Sequence, residues 1–85
     1  MKLFLEKFEA NYLSFLYNDI AEATYRCITE HSEKVYHLVM RDNFMYETEV
    51  YCEELDKTYY FDKQLDYNDS SIILNGIERA LRSML

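Results

Sequence analysis

Apolar residues step along the first third of the chain at intervals of three and four. Leu5, Phe8, Tyr12, Leu16, Ile20, Ala23 and Cys27 fall on one stripe of a helical wheel, while Lys7, Asn11, Asn18, Glu22, Arg26 and Glu30 lie mostly off it. This spacing predicts a long helix over residues 3–31. Asp19 and Glu22 have the separation of a capping box, which would bend or restart the helix near Asn18.

From Lys34 the period changes to two. Val35-Tyr36-His37-Leu38-Val39-Met40 is rich in β-branched and aromatic residues and predicts a strand over 34–41. Asp42-Asn43 is a plausible two-residue turn. A second strand over 45–53 alternates Tyr46, Thr48, Val50 and Cys52 on one side with Glu47, Glu49, Tyr51 and Glu53 on the other. After a turn at Glu54–Lys57 comes a third strand over 58–63. A C-terminal helix over 69–84 follows, with Asn68, Asp69 or Ser70 as N-cap. Its apolar face is Ile73, Ile77, Ala80, Leu81 and Met84, and Arg79 and Arg82 suit the negative end of its dipole. Gly76 in mid-helix points either to a close contact with the sheet or to a cap at Asn75. The expected fold is a single α+β domain over 1–85: a long N-terminal helix, a three-stranded antiparallel meander and a C-terminal helix, both helices packed on one face of the sheet.

Composition narrows the classes of function. The chain of 85 residues has one Gly and no Pro, so Gly-rich phosphate loops are excluded. Sixteen acids against nine Lys and Arg give a formal charge of -7, which argues against direct nucleic-acid binding. Glu6, Lys7 and Glu9 interrupt the apolar start before it reaches the length of a secretory or membrane-spanning segment. A cytoplasmic protein with two reduced thiols, Cys27 and Cys52, is expected.

Chemistry is sparse. Cys27 and His31 are four apart and would share a face at the end of the first helix, the start of a nucleophilic or zinc site. The apolar stripe accounts for Cys27 and the helix terminus for His31, so a structural role is favoured. His37 reads as a half-buried packing residue. The acids from Asp62 to Asp69 lack the spacing of a calcium loop. The residues point to no catalytic group, cofactor or metal.

The charge distribution is the most informative feature. Residues 42–69 carry nine acids against Lys57 and Lys63, a net of -7, while residues 1–41 net -1 and residues 70–85 net +1. Glu47, Glu49 and Glu53 on one strand face, with Tyr51 and Tyr59 among them, could imitate the phosphates and bases of a nucleic acid. The candidate partner surface is Glu47, Glu49, Tyr51, Glu53, Glu54, Asp56, Tyr59, Asp62 and Asp66. Its expected partner is a basic protein, a nucleic-acid-processing enzyme. In size, acidity and lack of motifs the chain resembles the small inhibitors that phages and mobile elements direct at host nucleases, the anti-CRISPR and anti-restriction proteins. That resemblance is of general character and carries over no residue. Three alternatives remain open: an immunity protein or antitoxin against a toxic nuclease, a homodimerisation module, and acids that serve only to keep a sheet edge solvated.

Overall fold

The structure, a computed structural model, describes residues 7–17, 20–42 and 47–85. These residues form five strands and one helix: β1 (Lys7–Tyr17), β2 (Ile20–Ile28), β3 (Glu33–Asp42), β4 (Thr48–Cys52), β5 (Lys57–Phe61) and α1 (Ser70–Met84). The strands form one antiparallel meander in chain order, and α1 packs across one face. This corrects the expected α+β arrangement. There is no long N-terminal helix over 3–31; that stretch holds β1 and β2, and a single helix covers the sheet. A bend near Asn18 falls outside the described residues.

The β2 pattern shows why a strand forms there. Ala21, Ala23, Tyr25 and Cys27 are buried, whereas Glu22, Thr24, Arg26 and Ile28 between them are only half-buried. That is a period of two. The three-and-four stepping shares Ala23 and Cys27 with this alternation by coincidence, and the aromatic and β-branched content of the region favours strand. In β1 the alternation is broken by register shifts between Ala10 and Tyr12 and between Phe15 and Tyr17. A bulge exchanges the faces of the residues beyond it. Phe8 opposite Cys27 and Leu13 opposite Ala23 therefore both pack on the core despite opposite parity.

The rest of the meander follows its expected course, with β4 and β5 shorter than expected. β3 is close to the 34–41 run. The strand expected over 45–53 is confined to Thr48–Cys52, with Tyr46 outside the described residues, and the one expected over 58–63 is Lys57–Phe61. Thr48, Val50 and Cys52 are fully buried, as their alternation implies.

Helix α1 forms where its cap and stripe predict. Asp69, extended at φ -118, accepts the Ser71 N–H at 3.0 Å and the Ile72 N–H at 3.4 Å, so it is the N-cap and Asn75 is not. Ile73, Ile77, Ala80 and Leu81 are completely buried against Ala21, Leu38, Met40, Val50 and Cys52. Three polar contacts fasten the helix and its approach to the sheet. The Tyr25 hydroxyl donates to the Leu74 carbonyl at 2.8 Å, and burial, aided by Glu78, pushes its pKa up to about 12. The buried Thr48 hydroxyl donates to Asp42 at 2.7 Å and accepts the Leu65 N–H at 3.0 Å. Lys57 Nζ donates to the Met84 carbonyl at 3.3 Å, near the negative end of the helix dipole.

Gly76 is the point of closest approach. A Cβ there would meet Leu65 Cδ1 at 2.7 Å and Met40 Cε at 3.1 Å, both ends of flexible side chains. Gly76→Ala is therefore expected to stay within about 1 kcal/mol of the parent, since a better helix propensity offsets small shifts of those methyls. Gly76→Val, with two further carbons in the same space, should cost about 2 kcal/mol or more. Denaturant melts of the two variants check both values; equal stability of the two would show that the contact is slack.

Candidate functional site: the open face of the sheet

The alternation that buries one face turns the other outward. In β3, Tyr36, Leu38 and Met40 face the helix, so Val35, His37, Val39 and Arg41 must face away. The register carries that surface across the sheet in rows. Glu22, Val39, Tyr51 and Thr58 form one row, and Ile20, Arg41, Glu49 and Tyr60 form the next. Tyr60 is 58% exposed, Val35 42% and Tyr51 40%.

Basic residues interrupt the carboxylates on this face. Arg41 Nε donates to Glu49 at 2.7 Å. Arg26 bridges Glu9 at 2.6 Å and Glu33 at 2.9 Å, and with Lys7 it holds the Glu9 carboxyl below its usual range. A shallow depression of about 460 Å³ lies between β2, β3 and β4, bounded by Glu22, Thr24, His37, Val39, Tyr51 and Glu53.

The expected partner residues do not form one surface. Glu49, Tyr51 and Glu53 share the open face. Glu54 and Asp56 sit in the β4–β5 turn, where Asp56 has a positive φ of 49 and accepts the Tyr51 hydroxyl at 3.0 Å. Asp62 and Asp66 lie between β5 and α1, beyond the other end of β5, and Glu47 just precedes β4. Tyr59 is corrected: it turns toward the helix side, half-buried, with its ring 4.9 Å from Phe61 and tilted edge-on. Glu47, Glu49 and Glu53 thus do not form one evenly spaced row on β4, because Arg41 pairs with Glu49 and Glu47 lies outside the strand.

Two further readings change. Cys27 and His31 do not share a helix face: Cys27 is buried on β2, and His31 is exposed in the β2–β3 turn. Desolvation pushes the Cys27 thiol up to about 11 against the opposing pull of Arg82, and burial raises Cys52 as well, so both stay protonated at neutral pH. His37 is exposed rather than packed. Its ring Nδ1 pairs with one Glu54 oxygen, while its backbone N–H donates to the other at 2.6 Å. The Glu53 N–H donates to the His37 carbonyl at 3.0 Å, so the turn is sewn to β3 through one residue. His37, Arg41 and Tyr60 are the site residues that sequence reasoning missed. The even-numbered apolar set Tyr36, Leu38, Met40 was the available signal, since it forces the odd positions outward.

His37, Glu53 and Glu54 bring one donor atom each within 4.8 Å of one another. Such a set suits a divalent cation in principle, but both Glu54 oxygens already serve His37, and a cation would have to displace that contact. Asp66 and Asp69 are likewise engaged by backbone N–H groups.

No family model, curated protein or solved structure matches the chain. Among the described residues no helix is long and apolar enough to cross a membrane.

The His37–Glu54 pair has a definite pH signature. The Glu54 hydrogen bond and charge raise His37 above its ordinary 6.5, so that stabilisation is complete below 6.5 and fades as pH rises through the raised value. For Glu54, desolvation acts upward, but the side-chain and backbone bonds from His37 outweigh it and lower the carboxyl below 4.5. Its contribution is therefore present above 4.5 and fades as pH falls through the lowered value. The pair stabilises most between about pH 4.5 and 6.5. Thermal melts of Glu54→Gln against the parent should differ most in that window and less on either side of it; a constant difference across pH would refute the pairing.

Proposed function

We propose that this chain is a small non-enzymatic binding module of the inhibitor type, whose open sheet face engages a basic surface on a protein partner. One observation carries the reading: among the described residues nothing covers the second face of the five-stranded sheet, which presents Tyr51, Tyr60, Val35 and Val39 among carboxylates. Tyrosines supply apolar contact with a polar tip, as protein interfaces commonly do. The carboxylates supply steering and register toward a cationic counterpart. The charge of -7 within residues 42–69 gives the same end of the meander a negative field. Nucleic-acid-processing enzymes are one class with such basic surfaces, and the partner surface need not follow the spacing of phosphates.

Affinity capture from the cell of origin, followed by binding kinetics on the captured partner, tests the reading. Glu49→Gln combined with Glu53→Gln should slow association about tenfold at low salt and flatten its salt dependence. Tyr51→Ala should raise the dissociation rate and leave the melting temperature nearly unchanged. Unaltered affinity in all these variants would remove the open face as the interface. Recovery of only this chain would instead favour a homodimer.

A further inference from the structure

The two outer strands of the meander are protected very differently. β1 carries two register shifts, the kind of irregularity that keeps an edge from pairing with another chain. The β4–β5 register runs without a shift from Thr48–Phe61 to Cys52–Lys57, so β5 is a regular ribbon. Among the described residues β4 is its only ladder partner, and alternate β5 residues therefore turn their N–H and C=O groups outward. The usual blocking devices are missing from this edge. The chain contains no proline, and Lys57, the one lysine of β5, donates its ammonium to the helix C-terminus at Met84.

We propose that the free edge of β5 accepts an extended, lysine- or arginine-flanked segment of a partner protein as a further antiparallel strand. The proposal rests on the functional reading above only for the sign of the partner's charge; the edge adjoins the open face and shares Thr58 and Tyr60 with it, but it binds through backbone groups that the open face does not use. Backbone pairing supplies affinity in this mode of recognition, and side chains at alternate positions supply selectivity. Tyr60 and Thr58 provide an exposed apolar and hydroxyl row on the open side, while Tyr59 and Phe61 fill the helix side. Asp56 and Asp62 bracket the strand at its two ends, matching cations six positions apart on an incoming chain.

Charge also decides against a second copy as the occupant. Two β5 strands paired about a two-fold axis must keep their faces matched, so positions of the same parity oppose each other. In the register centred on Tyr59, Asp56 of each copy faces Asp62 of the other, twice. In the register centred on Tyr60, Lys57 faces Lys63, again twice. Like charges directly opposite are destabilising in a ladder.

The test uses the whole chain and a capped heptapeptide, Lys-Thr-Val-Thr-Val-Thr-Lys, which places its lysines opposite Asp62 and Asp56 and its valines opposite Tyr60 and Thr58. Amide hydrogen exchange followed by NMR should show the β5 amides that exchange fast in the free chain slowed by about tenfold at saturating peptide. The same peptide N-methylated at alternate residues, and its Glu-flanked counterpart, should have no such effect. Absence of β5 protection with the Lys-flanked peptide overturns the proposal, as does equal protection by the Glu-flanked one. Shifts confined to His37, Val39 and Tyr51 would also overturn it while leaving the open-face reading intact. Protection that grows with protein concentration alone would show that a second copy takes the edge.

Discussion

A single helix has to seal the whole apolar side of a five-stranded sheet. Five strands span about 19 Å between outer axes, while a helix is about 10 Å across, so coverage depends on how closely the two layers approach. Small residues sit buried between the layers: Ala21 and Ala23 on β2, and Gly76 and Ala80 on α1, with Gly76 closest to Leu65 and Met40. Larger side chains, Leu38, Met40 and Leu81, fill the space between them. At the margin the helix reaches outward with its charged residues: the Arg82 guanidinium lies 4.2 Å from the centre of the Phe8 ring, and that of Arg79 lies 6.0 Å from Phe61. Arginine stems and guanidinium planes here cover ring surface that a second helix would otherwise cover.

The same constraint produces the open face. With β1 and β2 built as strands rather than as a helix, the described chain has nothing left to lay over the second side of the sheet. The outward positions then have to be tolerable in water, and their chemistry shows how. Arg26 and Arg41 spread positive charge among Glu9, Glu33 and Glu49, which reduces the self-repulsion that a purely acidic face would suffer. These pairs are partly exposed and contribute little to stability individually.

Legibility in the sequence divides at Lys34. Beyond it, clean alternation in residues 48–52 and the Asp69 cap with its apolar stripe made β4 and α1 readable, along with the close approach at Gly76. Before it, two effects hid the strands. Alanine and cysteine at positions 21, 23 and 27 are small, so a helical stripe and a strand alternation both accommodate them. The bulges in β1 then changed the parity of the inward residues, from Phe8 to Leu13, which erases a period of two over any window wide enough to test it. The open-face location of Glu49, Tyr51 and Glu53 was legible because β4 has no such break. The position of Tyr59 was not: its neighbours Tyr60 and Phe61 are also aromatic, and only the pairing of Val50 with Tyr59 fixes which ring turns inward.

The bulges that hid β1 from a sequence reading also bear on how the molecule avoids association. Among the described residues the meander has an edge strand on each side, and each is a template for pairing. β1 meets this with irregular backbone. β5 has regular backbone and relies on flanking charge alone, with Asp56 and Lys57 at one end and Asp62 and Lys63 at the other. That arrangement discriminates by partner rather than by geometry: it sets like charges opposite each other for a second identical strand in the registers centred on Tyr59 and Tyr60, yet the hydrogen-bonding row stays open to a strand with a different charge pattern. The two edges thus oppose self-pairing by different means, and only irregular backbone opposes every other chain as well.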